Sequence, residues 1–447
     1  MKFDSAALFR ALTEIVPDFG ERDLCVAFSG GLDSTVLLFA ARAIKSRTGR
    51  LRAVHVHHGL VAEAEHWARR ARATCAELAV ECTVLNVNVA VGTGDSLEEQ
   101  ARVARYAALE AVVGADEILL TAQHRDDQLE TLLLQLFRGA GVAGLASMPP
   151  VRAFGAGLHA RPLLTFDRCD LHEYAERHGL RWQNDPSNED QRFDRNFLRG
   201  SILPALRARW TGIAVAVARS ASNCAEAQQL LDQLADLDRV DAEKGGELSV
   251  TALRRLSPPR QRNLLRRWIA MRKIKMPPAT RLNSIITDVI GAADSGAAVV
   301  SWGGMEARRF QDRLLLVPEL APVDTTRRTN WPRDCAELEL GSGQGYLHHR
   351  PSPEGGIDAS RFGKGLVEVG YRRGGERLRI HGKAQSKPLS RLFQEAQIFP
   401  WMRDRVPLIF IDGSLAAVAD LWIVEGFVAE PGSPGLDLQW FGHPPIR

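Results

Sequence analysis

The sequence predicts an α/β fold, a doubly wound parallel sheet, followed by a mainly helical domain and a small α+β C-terminal domain. Three observations predict it. Short apolar runs alternate with longer amphipathic segments through the first 215 residues. From about residue 216 an Ala-, Leu- and Gln-rich helical pattern replaces that alternation. Beyond a Pro/Thr-rich joint the chain turns Gly-rich, with short strand-like runs. A strand, a helix-length segment and another strand need a crossover connection, and right-handed crossovers lay strands parallel.

The elements follow in order. Leu24–Phe28, Leu51–Val56, Cys82–Val87 and Ile118–Ala122 read as strands, with helical segments near 35–47, 63–79 and 96–113 between them. The last has a start signal, because Ser96 and Glu99 are spaced as a capping box. Residues 216–290 are helical in pattern, broken at Ser257-Pro258-Pro259. Ala297–Trp302 and Arg313–Val317 look like two strands, Pro318–Pro332 is the joint, and a helix is expected near Leu389–Ala396. The expected domains are therefore 1–215, 216–320 and 333–447.

Bulk properties narrow the function classes. A chain of 447 residues has room for about two to four domains. Net charge is only +3, from 57 Lys+Arg against 54 Asp+Glu, so a polyanion partner has to be argued from local patches. The six cysteines are scattered without a C-x-x-C pair, which suits a reducing compartment and argues against a Cys-built zinc or iron–sulfur site. Met1–Ser5 opens no signal-peptide stretch, and no apolar run reaches 18 residues, so the expectation is a soluble, cytoplasmic protein without a membrane partner.

The sharpest motif is Ser29-Gly30-Gly31-Leu32-Asp33-Ser34, between a strand and a helix. Two glycines let the backbone turn tightly and aim amide N–H groups at an anion. The Ser29 and Ser34 hydroxyls add donors, and the helix start adds positive field. An aspartate inside an anion nest needs a cation, so Asp33 suggests bound magnesium. No G-K-[ST] occurs, so this is not a Walker A loop. Gly139–Gly144 fits G-x-G-x-x-G but follows a helix, and reads as a loop.

The strand at Ile118–Ala122 runs into Gln123-His124-Arg125-Asp126-Asp127-Gln128-Leu129-Glu130. With a helix starting at Asp126, Asp127 and Glu130 are i, i+3 neighbours. They sit at the carboxyl end of a strand, where open α/β sheets bind ligands, and can hold magnesium or an amine. His55-Val56-His57-His58 ends another strand at that edge. His55 and His57 read as a wall of the adenine site, where backbone matters more than imidazole chemistry. Arg102 is a candidate catalytic cation at helical spacing from Glu98; an exposed charged face is the alternative.

The loop resembles the PP-loop of the N-type ATP pyrophosphatases. Together SGGLDS, VHVHHGL, EEQARVARY and TAQHRDDQLET resemble the tRNA(Ile)-lysidine synthetases. Arg161-Pro162-Leu163-Leu164, Asn184–Asn188, Arg195–Arg199 and, near the C terminus, Arg373–Arg377 and Trp401–Asp404 agree. The likeness spans nearly the whole chain and matches the long, three-part form of the family. It implies an ATP-dependent carbon–nitrogen ligase. The C2 oxygen of the wobble cytidine in a CAU anticodon is adenylated with loss of pyrophosphate, and the ε-amine of free L-lysine then displaces AMP. It further implies ATP and Mg2+ at Ser29–Ser34, His55 and His57, with Asp33 and Asp127 as metal ligands and Asp127 with Glu130 receiving lysine. Arg195, Arg199, Arg266, Arg267, Arg373 and Arg377 are the expected tRNA contacts. The nearest alternative is a tRNA thiolase of the same superfamily, which the scattered cysteines speak against.

Overall fold

A computed structural model describes residues 2–447 apart from 45–48, 58–63, 88–96, 184–189, 293–297, 342 and 354. The Ser96–Glu99 capping box, His58 and the segment Asn184–Asn188 fall outside the described residues or side chains. Contacts divide the chain into Met1–Leu231 and Asp232–Arg447.

In the first unit the order is α1 (Ser5–Ile15), β1 (Asp23–Ala27), α2 (Leu32–Ala43), β2 (Leu51–His57), α3 (Ala64–Glu77), β3 (Glu81–Asn86) and α4 (Leu97–Val112). There follow β4 (Glu117–Leu120), α5 (Arg125–Phe137), α6 (Val142–Leu145), β5 (Val151–Phe154), β6 (Gly157–Ala160) and α7 (Arg168–Arg177). Last come α8 (Asp194–Phe197), α9 (Leu203–Arg209) and α10, which begins at Ile213 and ends at Ala242. The strands form one sheet in the order β3-β2-β1-β4-β6-β5, parallel except for β5, which pairs antiparallel with β6. The doubly wound sheet expected from the alternation is present.

Successive strand residues face opposite sides of a sheet, and β1 shows the consequence. Leu24 and Val26 join one core with Leu37, Leu171 and Tyr174. Cys25 joins the other with Leu109, Val113 and Phe154. Helix α2 is buried almost all round, including Leu32, Ser34, Thr35, Val36, Leu37 and Leu38. Such a helix belongs to the core, and its N-terminus is correspondingly fixed. The G-x-G-x-x-G segment is only partly the loop expected: it leaves α5 with Gly139 at φ +68°, and after Gly141 its last three residues belong to the single turn of α6.

In the second unit, β7 (Glu243–Lys244), β8 (Glu247–Ser249), β9 (Val299–Trp302), β10 (Met305–Phe310) and β11 (Arg313–Pro318) form a sheet against α11 (Val250–Arg255), α12 (Pro258–Met271) and α13 (Ala279–Ser284). Beyond it, Val367–Gly370, Leu408–Ile411 and Ser414–Val418 build a further sheet, and a helix spans Leu389–Glu395. Phe310, Leu315 and Val317 share the core of that C-terminal part with Leu389, Phe393 and Phe399. Cys25 and Cys75 are buried, whereas Cys169 in the first unit and Cys335 in the second are exposed.

Candidate active site

The phosphate loop connects β1 to α2. Gly30 lies at φ +85°, a left-handed conformation that glycine alone adopts without strain. Its carbonyl accepts from the Gln183 backbone N–H at 2.9 Å. The Ser34 hydroxyl donates to the Gly31 carbonyl at 3.1 Å and lies 2.9 Å from Ser29 Oγ, which accepts from the Gly31 N–H at 3.4 Å. The two serines therefore brace the turn itself, while the start of α2 has no side-chain cap.

The acidic cluster lies on the neighbouring loop. α5 begins at Arg125, one residue earlier than expected, with His124 as its N-cap and Asp127 accepting the His124 backbone N–H at 2.9 Å. His124 is missing from the expected site residues, yet it joins the two motifs. Its Nε2 lies 3.7 Å from Asp33 Oδ2 and 3.4 Å from Asp127 Oδ2. Burial pushes the imidazole down, but the Asp127 and Asp33 carboxylates outweigh it and the net shift is upward. Burial likewise pushes Asp33 up, while His124, Arg168 and Arg199 outweigh it and hold the carboxyl below its usual range. Asp33 Oδ1 is buried and has no hydrogen-bond partner.

Asp127 and Glu130 are both buried. Arg195 and Arg199, expected on tRNA, are instead committed to them. Arg195 reaches Asp127 Oδ1 and Glu130 Oε2, each at 2.6 Å, and Arg199 donates to Glu130 Oε1 at 2.8 Å and Oε2 at 2.9 Å. The helix bearing these arginines contains a π turn, Leu198–Ile202, between α8 and α9. Pro204 explains it. Proline has no N–H for an α-helical bond to Gly200, and just upstream the Leu203 N–H reaches back five residues to the Leu198 carbonyl.

The remaining expected residues separate. His55 is buried, donates from Nδ1 to the Phe28 carbonyl at 2.8 Å and is pushed down by burial, so it ties β2 to the start of the loop as a neutral ring. His57 Nε2 is buried, with Glu65 3.9 Å away. Arg102 lies over Tyr106 at 5.4 Å from its ring centroid, and not in the carboxylate cluster. Arg267, another expected RNA contact, is held by Asp232 and Asp236 at 3.1 and 2.8 Å, and its neighbour Arg260 by Asp238; Arg266 is exposed. The exposed Arg373 and Arg377 donate to backbone carbonyls of Thr325, Thr326 and Ser386. A cavity of about 460 Å³ in the second unit, lined by Ser360, Arg361, Lys364 and Phe427 among others, contains none of the expected residues.

This loop, joined through one histidine to buried carboxylates, can be compared with known proteins. A PP-loop domain model matches residues 5–206, a TilS substrate binding domain model 248–315, and a TilS substrate C-terminal domain model 367–440. The tRNA(Ile)-lysidine synthase of Methylococcus capsulatus is 44% identical over 420 residues, covering 93% of this chain and 95% of its own length. That of Coxiella burnetii is 40% identical, with 93% of each chain covered. Among solved structures, the U34-tRNA thiolase NcsA from Methanococcus maripaludis aligns at 16% identity and a TM-score of 0.43, over 49% of this chain and 78% of its own. The chain belongs to the tRNA(Ile)-lysidine synthase family.

Proposed function

We propose that this protein is a cytoplasmic ATP-dependent ligase that converts the wobble cytidine of a CAU-bearing isoleucine tRNA to lysidine. The observation that carries the reading is the joining of the Ser29–Ser34 loop to buried Asp127 and Glu130 through His124, on one sheet edge. The loop amides take the ATP phosphates. The cytidine C2 oxygen attacks the α-phosphorus and pyrophosphate leaves. The lysine ε-amine then attacks C2 and the C2–O bond breaks, releasing AMP. Extruding the cytidine from an anticodon loop costs a few kcal/mol, less than from a duplex.

Magnesium fits this site at Asp33. Its Oδ1 is buried without a hydrogen bond, with only the Arg168 guanidinium 3.8 Å away, which leaves it open to a hard cation. Both oxygens of Asp127 already accept hydrogen bonds, from the Arg195 guanidinium and the His124 backbone. Asp33 is thus the stronger protein ligand of the pair. Among the described residues there is no group of three or more His, Cys, Asp or Glu suited to a metal, which matches an ion held by one or two carboxylates and substrate phosphates. Bound there, magnesium would neutralise charge developing on the phosphates.

The carboxylates Asp127 and Glu130 are the lysine receptor in this reading. They are balanced by Arg195 and Arg199, so a lysine ammonium has to share or displace a guanidinium to reach them. Pyrophosphate release measured with the tRNA and, in turn, lysine, ammonia and a sulfur donor tests the function. Turnover with lysine alone is expected. Release with the sulfur donor instead would favour a thiolase.

A further inference from the structure

The first unit holds a second charged cluster, and it is cationic. Arg102 and Arg152 lie over the Tyr106 ring, 5.4 and 5.8 Å from its centroid. Arg161 donates to the Pro149 carbonyl at 2.8 Å and to His159, whose ring lies 5.8 Å from that of Tyr106. Arg161 is only 5% exposed, and its buried Nε has no hydrogen-bond partner. Among the described residues no carboxylate forms an ion pair with any of these three arginines, and the charges that act on Arg161 include Arg152 and Arg102. A guanidinium buried beside like charges is costly unless an anion completes its surroundings.

Hydrogen bonds fix the cluster's polarity. His159 is fully buried, and burial with Arg161, Arg152 and Arg102 pushes it down to about 3, so its ring is neutral. Its Nδ1 accepts from Arg152 Nε at 3.4 Å and from Arg161 at 3.3 Å, which leaves the proton on Nε2. Nε2 donates to Thr121 Oγ1 at 2.7 Å, and Thr121 donates in turn to Gln123 Oε1. The Gln123 amide donates to Tyr106 Oη at 3.5 Å. Tyr106 is thus an acceptor within the chain, and its own O–H proton is available to a ligand. The path ends at the Tyr106 hydroxyl, beside the exposed Arg102 and Arg152.

That place belongs to the active-site edge. Thr121 and Gln123 follow β4 and lead directly into His124. The ATP phosphates have their own cradle after β1. Arg102 and Arg152 are exposed, so this anion arrives from solvent and can be part of a long chain. We propose that Arg102, Arg152, Arg161 and the Tyr106 hydroxyl form a subsite for one backbone phosphodiester of the RNA, next to the nucleotide that enters the active site. This rests on the proposed RNA substrate. Arginine pairs suit phosphate because the guanidinium fork meets two of its oxygens at once.

The test uses the full-length enzyme and its Arg152→Gln variant, chosen because Arg152 is exposed on the edge strand β5. Direct binding is measured with the tRNA and with a set of tRNAs carrying one neutral methylphosphonate each in the anticodon loop. Arg152→Gln should weaken tRNA binding about tenfold and flatten its salt slope by about 0.7, as for one single-strand contact. Half-saturation for ATP and for lysine should not move. One methylphosphonate position should weaken the wild type by a similar factor and add nothing further in the variant, and Arg152→Lys should recover part of the affinity. Losses that add at every position would overturn the subsite. A raised ATP requirement would assign the anion to ATP's polyphosphate and overturn it as well, and so would a lowered melting temperature with unchanged tRNA affinity. If the wild type made no lysidine, the proposed reaction would fail, but the binding cycle would still decide the subsite.

Discussion

At the scale of single residues, Asp33 and His159 illustrate opposite uses of a buried titratable group. Asp33 keeps an oxygen without a hydrogen bond beside a phosphate cradle. Asp33→Asn is therefore expected to abolish tRNA-dependent pyrophosphate release while leaving tRNA affinity within about twofold, an isosteric change being worth little away from its charge. Release near the wild-type rate would remove the cation from this loop. His159 resists a proton down to about 3, whereas an unfolded histidine takes one up below about 6.5. Protons then favour the unfolded chain. This contribution is intact above 6.5 and is lost as pH falls toward 3, at up to on the order of 1.4 kcal/mol per pH unit. His159→Gln should lower stability at pH 7 but lose less of it between pH 6.5 and 4.5 than the wild type, read from denaturant melts. Asp33, Asp127 and Glu130 were legible in sequence because their motifs abut predicted strand ends. His124 stood in the same motif, but only its position between two carboxylates shows its part. Nothing in the residues around Arg161 signalled that it would be buried without a carboxylate partner, since that depends on the β5–β6 hairpin meeting α4.

At the scale of elements, the helix from Asp194 to Arg209 brings two arginines onto the acidic pair, with Arg199 inside its π turn. Glu130→Gln should raise the lysine requirement well above any change for ATP. It should also cost about 3–5 kcal/mol of stability, because two part-buried guanidinia lose a charged acceptor. Steady-state titration of each substrate, with a denaturant melt, reads both effects. Arg195→Gln, by removing a competing cation, should lower the lysine requirement; a raised one would make Arg195 part of the pocket. The central strands and their helices were readable because alternation and helical period agreed with the tertiary contacts. The strand β10 was not, since Met305-Glu306-Ala307-Arg308-Arg309-Phe310 carries charge at positions that turn out buried, with Glu306 paired to Arg308 and Arg309 bonded to the Gln311 carbonyl. Arg266 and Arg267 are expected on RNA, yet Arg267 is bound to Asp232 and Asp236, and its basic neighbours Arg254 and Arg260 to Ile290 and Asp238. Acidic partners up to 35 residues away cannot be assigned from a local charge pattern.

At the scale of the whole molecule, a net charge of +3 leaves RNA attraction to local patches, and Arg373 with Arg377 is the exposed pair left to the C-terminal part. Replacing both by glutamine should weaken tRNA binding and flatten its salt slope by up to about 0.9 per duplex contact, with little change in melting temperature. Cutting the chain after Pro332 is a poorer probe, because it strips the partners from Phe310, Leu315 and Val317. No helix among the described residues is long and apolar enough to cross a membrane. The thiols have a further use. Cys25, pushed up to about 12 chiefly by burial, and Cys75 are shielded, whereas Cys169 and Cys335 are exposed, one in each contact unit. Maleimide dyes should therefore attach at those two positions without any engineered cysteine, more slowly at Cys169, whose thiol is pushed up by burial and by Asp170. Energy transfer between them converts the separation of the two units into a colour ratio, and a tRNA that engages both units should narrow its distribution molecule by molecule.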